Sequence, residues 1–183
     1  MTFDNITEDG RLWAVRYDGE VDNALYIILD RWNDVRWLRT FFKNNFNDLV
    51  SHFKITDINQ AINDTLDDAE RLQYLIMDIS SEADLDELFR HLEPSRMKEV
   101  LLGKEKAKIK NRRQHASWLR IYAIKLSQGI YIITGGAIKL TAAMQERQHT
   151  LEELTKMEMV RNFLLDESIV DSDGFEDYLR ELK

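Results

Sequence analysis

Residues 118–140 read WLRIYAIKLSQGIYIITGGAIKL. Two runs of β-branched and aromatic residues flank Ser127-Gln128-Gly129, a pattern that predicts an antiparallel hairpin with Gly129 supplying a positive φ. Alternation along the first run puts Arg120 and Tyr122 on one face and Ile121 and Ala123 on the other. Within the second run, Thr134-Gly135-Gly136-Ala137-Ile138-Lys139 matches neither a P-loop nor a dinucleotide fingerprint. It lies inside a strand, so the glycine pair predicts a bulge or a close backbone approach, and the nucleotide-cradle reading is set aside.

Working outward, RLWAVRYDGEVDNALYIILD (11–30) predicts two more strands, about 11–17 and 24–29, around the turn signal Asp18-Gly19. Val35, Leu38, Phe42, Phe46, Leu49 and Phe53 then recur every three or four residues, which predicts one long helix from Trp32 to Phe53. Trp37 and Phe41 lie off that stripe and would face the second helix or another copy of the chain, so a homodimer is one expectation. Asp57 can cap a second helix bearing Ile58, Ile62, Leu66, Ala69, Leu72 and Ile76. A short third helix starts at Ser81 or Glu82 and is ended by Pro94.

Beyond the hairpin, Thr150 and Glu153 have the spacing of a capping box, and Asp173 can cap a last helix. Strands and helices segregate rather than alternate. The expected fold is therefore α+β, a small antiparallel sheet packed by helices, in a single domain over residues 1–183.

Composition narrows the functional classes. The chain has 183 residues, no Cys and a formal charge of −8 from 25 Lys+Arg against 33 Asp+Glu. Disulfides, thiolate metal sites and a cysteine nucleophile are excluded. The longest uncharged stretch, Leu126 to Ile138, is too short and polar to span a bilayer, and the N-terminus MTFDNITEDG does not read as a leader. A soluble cytoplasmic protein without a membrane partner is expected. The charge is unevenly distributed. Residues 56–93 hold eleven Asp/Glu and two Arg, whereas residues 96–125 hold ten Lys/Arg and two Glu. The halves divide as an acidic helical insertion (about 55–94) followed by a basic segment, the hairpin and the C-terminal helices (about 95–183).

The four histidines, His52, His91, His115 and His149, lack metal-ligand spacing, and no cofactor is implied. The carboxylates of the acidic insertion read as solvated helix faces, and no serine lies in a nucleophile elbow. The segment KEKAKIKNRRQHASWLR (104–120) is different. If extended, it places Lys104, Lys106, Lys108 and Lys110 on one face, followed by Arg112, Arg113 and His115. Together with Arg120 and Tyr122 these residues could hold a phosphate and supply acid and base for RNA cleavage. The blander reading is a solvated loop that pairs with the acidic helices of its own chain, since charge runs are usually solvated faces.

The stretch from Trp118 to Leu165 resembles the end of a RelE/HigB-type toxin of the RelE/ParE superfamily. The resemblance is carried by LRIYAIKL, by IYIITGGAIKLT closing on Lys139, and by the amphipathic LEELTKMEMVRNFL. It implies a β-α-α-β-β-β core with LYIILDRWNDVRWLRTFF as the opening strand and helix, to which the acidic module is added. It also implies a toxin of a bacterial toxin–antitoxin system, a metal-independent endoribonuclease that cleaves mRNA, often on the ribosome, and is silenced by a cognate antitoxin. On this resemblance Arg120 holds the scissile phosphate, and Tyr122, Lys139 and His115 are the further catalytic candidates. Lys104, Lys106, Lys108, Lys110, Arg112 and Arg113 would bind RNA, and His149 is a weaker candidate. The alternative is a non-catalytic binding or regulatory module on the same scaffold, acting through protein–protein contacts.

Overall fold

A computed structural model describes residues 1–91, 103–107, 115–126 and 129–182. The described chain runs β1 (Thr2–Asn5), β2 (Leu12–Arg16), α1 (Ala24–Asn33), α2 (Val35–Asn44), α3 (Phe46–Phe53) and α4 (Ile58–Met77). It continues through α5 (Leu85–Leu88), β3 (Phe89–His91), β4 (Gly103–Ala107), β5 (Leu119–Lys125) and β6 (Tyr131–Ile138), then α6 (Gln148–Asp166) and α7 (Ser172–Glu181). The fold is α+β. The six strands form one sheet in the order β1-β2-β6-β5-β4-β3.

The hairpin expected from residues 118–140 is β5–β6, and Gly129 in its turn has φ +79°. Two corrections concern the sheet. Residues 24–29 form helix rather than strand. Asn23 accepts hydrogen bonds from the N–H groups of Leu25 and Tyr26, and Leu25, Ile28, Leu29 and Trp32 then bury one stripe of α1. The Asp18-Gly19 turn therefore delivers the chain into a helix. The sheet is also mixed, because Leu12, Trp13 and Ala14 of β2 pair in parallel with Tyr131, Ile132 and Ile133 of β6. The other strand pairs are antiparallel.

The long helix expected over 32–53 is broken twice. Asp34 ends α1 and caps α2, accepting from the N–H groups of Arg36 and Trp37. Asn45 separates α2 from α3, and Lys54 closes α3 in the left-handed region at φ 59°. Asp57 caps α4 as expected. The short helix is capped by Asp84, later than Ser81 or Glu82. In α6 the expected capping box is absent. The helix begins before Thr150, whose hydroxyl donates to the carbonyls of Met144 and Arg147, while Glu153 is buried. The last helix is capped by Asp171, which accepts from Gly174 N–H, rather than by Asp173.

Helices cover both faces of the sheet. On one face α1, α2, α3 and α4 enclose Trp32, Phe42, Leu49, Leu72 and Trp118 with Leu119, Ile121 and Ala123 of β5. On the other, α6 and α7 pack Met157, Val160, Leu164 and Phe175 over Tyr122, Ile124 and Ile132. The acidic segment is part of the first layer. Ala61, Ile62, Ala69, Leu72 and Ile76 of α4 join that core, and Trp118 Nε1–H donates to Thr65 Oγ1 at 3.0 Å. Among the described residues no helix is long and apolar enough to cross a membrane.

The glycine pair of β6 explains how the layers meet. The β5–β6 register slips between Tyr122 and Ala123, so that Tyr122 faces Gly135 while Ala123 faces Ile133. Thr134 is the extra residue, and the insertion reverses which face each later residue of β6 presents. A Cβ on Gly136 would stand 2.7 Å from both Arg120 O and Ile28 Cδ1. Gly136→Ala should therefore cost about 1–3 kcal/mol in equilibrium urea unfolding. An unchanged urea midpoint would show that α1 is not seated against this glycine.

Candidate functional site

At one end of β4, β5 and β6, on the α6 side, three cations converge. Arg120 of β5 is half-buried, and its Nη1 donates to the carbonyls of Ser117 and Leu119, each at 2.6 Å. Burial holds its guanidinium below the ordinary arginine value. Lys139 follows β6. Its ammonium is held below the usual lysine range first by burial and then by the positive charges of Lys106 and Arg120, against the pull of the Glu146 carboxylate. Lys139 Nζ donates to Ala142 O. Among the described residues neither the Arg120 nor the Lys139 head forms an ion pair with a carboxylate. Three like charges in partly desolvated surroundings repel one another, and an anion binding among them relieves that repulsion.

The other expected site residues are placed differently. Tyr122 shares the face of Arg120 but is wholly buried beneath α6, and among the described residues its hydroxyl meets no hydrogen-bond partner. Burial pushes its phenol well above the ordinary range, partly offset by Arg120. His115 lies on the opposite side of the sheet. Its ring stacks on Trp118 at 4.6 Å, meets Phe53 edge-on, and places Nε2 3.0 Å from Asp64 Oδ2 on α4. The structure thus keeps His115 apart from Arg120. Lys104 is ion-paired with Glu158 of α6, which also reaches Arg161 at 3.4 Å. Lys108, Lys110, Arg112 and Arg113 lie outside the described residues.

Two further features escape the sequence reading. The first is the anchor at the start of α6. Arg147 grips Asp48 of α3 through Nε and Nη2 at 2.6 and 2.5 Å. This bidentate bond holds the Asp48 carboxyl below the usual range, helped by the nearby charges of His52 and His149. His149 Nε2 lies 2.9 Å from Ile138 O, one residue before Lys139. No local motif marks Asp48 and Arg147, which stand far apart in the chain.

The second feature is Glu153, only 3% exposed although it carries a carboxyl group. Its Oε1 accepts from Lys156 Nζ at 2.8 Å, while among the described residues its Oε2 makes no hydrogen bond of normal geometry, although the Gly136 N–H acts on the carboxyl. That oxygen occupies the space a Cβ on Gly135 would need, which is the close approach the glycine pair signals. Burial raises the Glu153 carboxyl above the usual range against the pull of Lys156 and Arg31. Gly135 and Lys156 also line a cleft of about 280 Å³ with Thr134, Ile27, Ile28 and Met159. The cleft opens where β2 stops pairing with β6 after Ile133, and Tyr17 Oη caps the freed Thr134 carbonyl at 2.7 Å.

Because the folded-state pKa of Glu153 is raised, its charged form weakens the fold. Stability is lost as pH climbs from the unfolded glutamate value through the folded one. Glu153→Gln should raise the melting temperature by about 2–4 °C near pH 7 and change little below the ordinary carboxylate range. A variant less stable than the parent at pH 7 would show that the carboxylate itself supports the fold.

No family model, curated protein or solved structure matches the chain.

Proposed function

We propose that this chain is a metal-independent endoribonuclease of the toxin class, cleaving messenger RNA in the cytoplasm and restrained by an antitoxin. The observation that carries this reading is the convergence of Arg120, Lys106 and Lys139, with the Arg120 and Lys139 heads engaged, among the described residues, by backbone carbonyls. A half-buried guanidinium in such surroundings binds a phosphodiester more strongly than one in water. It is also placed to stabilise the extra charge of a pentavalent phosphate. The order of elements adds support. With β1 and β3 as additions and five helices in place of two among the described residues, β2, the helices, and β4, β5 and β6 keep the order of the β-α-α-β-β-β plan implied by the toxin resemblance. The opening strand is LWAVR, and LYIILD belongs to the helix after it.

A second reading, a binding or regulatory module without cleavage, is favoured by the placement of two acid/base candidates. His115 is tied to Asp64 on the far side of the sheet, and Tyr122 is buried. The decisive experiment therefore separates cleavage from binding. Induced alone in a bacterium, the wild type should arrest growth and yield mRNA fragments. Arg120→Ala should lower cleavage by at least about 100-fold, and Arg120→Lys should retain part of it. RNA binding that weakens steeply with salt, with no fragments, would establish the second reading. Absence of any RNA affinity would remove the nuclease reading and leave a module acting through protein–protein contacts.

A further inference from the structure

We propose that the cleft between α1 and α6 binds a small organic acid, a monocarboxylate with a compact apolar body. The cleft shares no lining residue with the cationic cluster, and the assignment does not rest on the nuclease reading. Its origin lies in the sheet. β2 pairs with β6 only as far as Ile133, so Thr134 and Gly135 floor an opening of about 280 Å³ rather than continuing the ladder. That volume lies at the lower end for small-molecule sites. Tyr17, whose hydroxyl donates to the Thr134 carbonyl at 2.7 Å, also lines it.

The walls are two helix faces. Ala24, Ile27, Ile28 and Arg31 recur at the three- and four-residue spacing of one face of α1, and all four line the cleft. Lys156 and Met159, one turn apart on α6, line it from the other side. The α1 wall is therefore apolar from Ala24 onward and cationic at Arg31, about 10 Å along the helix. Met159 is 45% exposed, so a hydrocarbon body lodged here covers apolar surface that now faces water. A thioether side chain also adapts to the shape of what it covers.

Charge decides the sign of the ligand. Among the described residues Arg31 forms no ion pair with a carboxylate, and its guanidinium rests over the Trp37 ring, 5.6 Å from the centroid. An arginine supported on an aromatic face keeps its N–H groups for an acceptor. Lys156 has three ammonium donors and gives one to Glu153 Oε1. The Glu153 carboxyl lies behind Gly135, engaged by Lys156 and acted on by the Gly136 N–H. Among the lining residues only Glu20, in the turn before α1, is negative. Two cations against one carboxylate favour an anion. A single charge suits them best, because a second would stand near Glu20 and Glu153. A carboxylate can take two parallel N–H donors from Arg31, and its apolar body then lies along Ile27, Ile28 and Met159.

The test uses the full chain, labelled with carbon-13 at the methionine methyls and nitrogen-15 at the arginine side chains. It is titrated with phenylacetate, phenylacetamide and phenethylamine, which share one shape and are anionic, neutral and cationic. Phenylacetate should bind with a dissociation constant of about 1 mM or tighter and move the Met159 methyl and Arg31 Nε resonances together. The amide and the amine should bind about tenfold or more weakly. Arg31→Met breaks no ion pair, so its melting temperature should stay near the parent while affinity for phenylacetate falls about tenfold or more. Met159→Trp should fill the cleft and abolish binding. Phenethylamine binding more tightly than phenylacetate would overturn the assignment, as would undiminished affinity in Arg31→Met. So would phenylacetate that moves Arg120 and leaves Met159 unmoved, or a Met159 methyl indifferent to all three molecules at about 10 mM. The ligand series needs only the wild type, and it decides the matter even where a variant fails to fold.

Discussion

The architecture depends on how closely other groups approach the backbone of β6. This strand is central and buried along its whole length, and it touches β2, β5, α1 and α6. One inserted residue, Thr134, turns Gly135 toward α6 and Gly136 toward α1. Any side chain at either position would displace a helix. The bulge therefore sets the height of both helical layers over the sheet, and with it the depth at which Arg120 and Tyr122 sit. It also forces Glu153 into the core with one oxygen poorly satisfied among the described residues, a local cost accepted where the layers close.

Electrostatics follow from that geometry. The overall negative charge gives no hint that one end of the sheet concentrates cations, because Lys106, Arg120 and Lys139 are brought together only by strand pairing. Glu146 acts on Lys139 through its charge while accepting from Ala143 N–H, and other carboxylates are engaged by cations outside the cluster. Glu158 pairs with Lys104, Asp48 with Arg147, and Asp86 with Lys125. Those pairs tie helices to the sheet or to one another. They leave the Arg120 and Lys139 heads to backbone carbonyls.

What could be read from the sequence was local. The β5–β6 hairpin announces itself through two β-rich runs and Gly129, and α4 through its cap and a stripe that holds over five turns. Residues 24–29 form a helix although a short apolar run fits strand and helix alike. The deciding signal was Asn23, which caps the following turn. The helix over 32–53 kept its stripe through two breaks, since Asp34 and Asn45 interrupt the backbone without disturbing the apolar spacing. The parallel pairing of β2 with β6, the clasp between Asp48 and Arg147 and the separation of His115 from Arg120 are set by long-range packing. A pattern read along the chain cannot contain them. Glu153 was intermediate. The glycine pair foretold a close approach, and the capping-box spacing concealed which residue would make it.

The parallel ladder has a kinetic consequence. Leu12 pairs with Tyr131, so β2 cannot dock on β6 until all the residues between them have been made. During synthesis β1 and β2 can form only their own two-stranded ribbon, which is marginal by itself, while α1 to α4 wait without the sheet they cover. Pairing at such separation is slow to nucleate and leaves apolar surface uncovered in the meantime. The cationic end of the sheet is completed at the same late stage, because Lys139 lies beyond β6. The nascent chain thus carries no finished site until translation has passed its last strand.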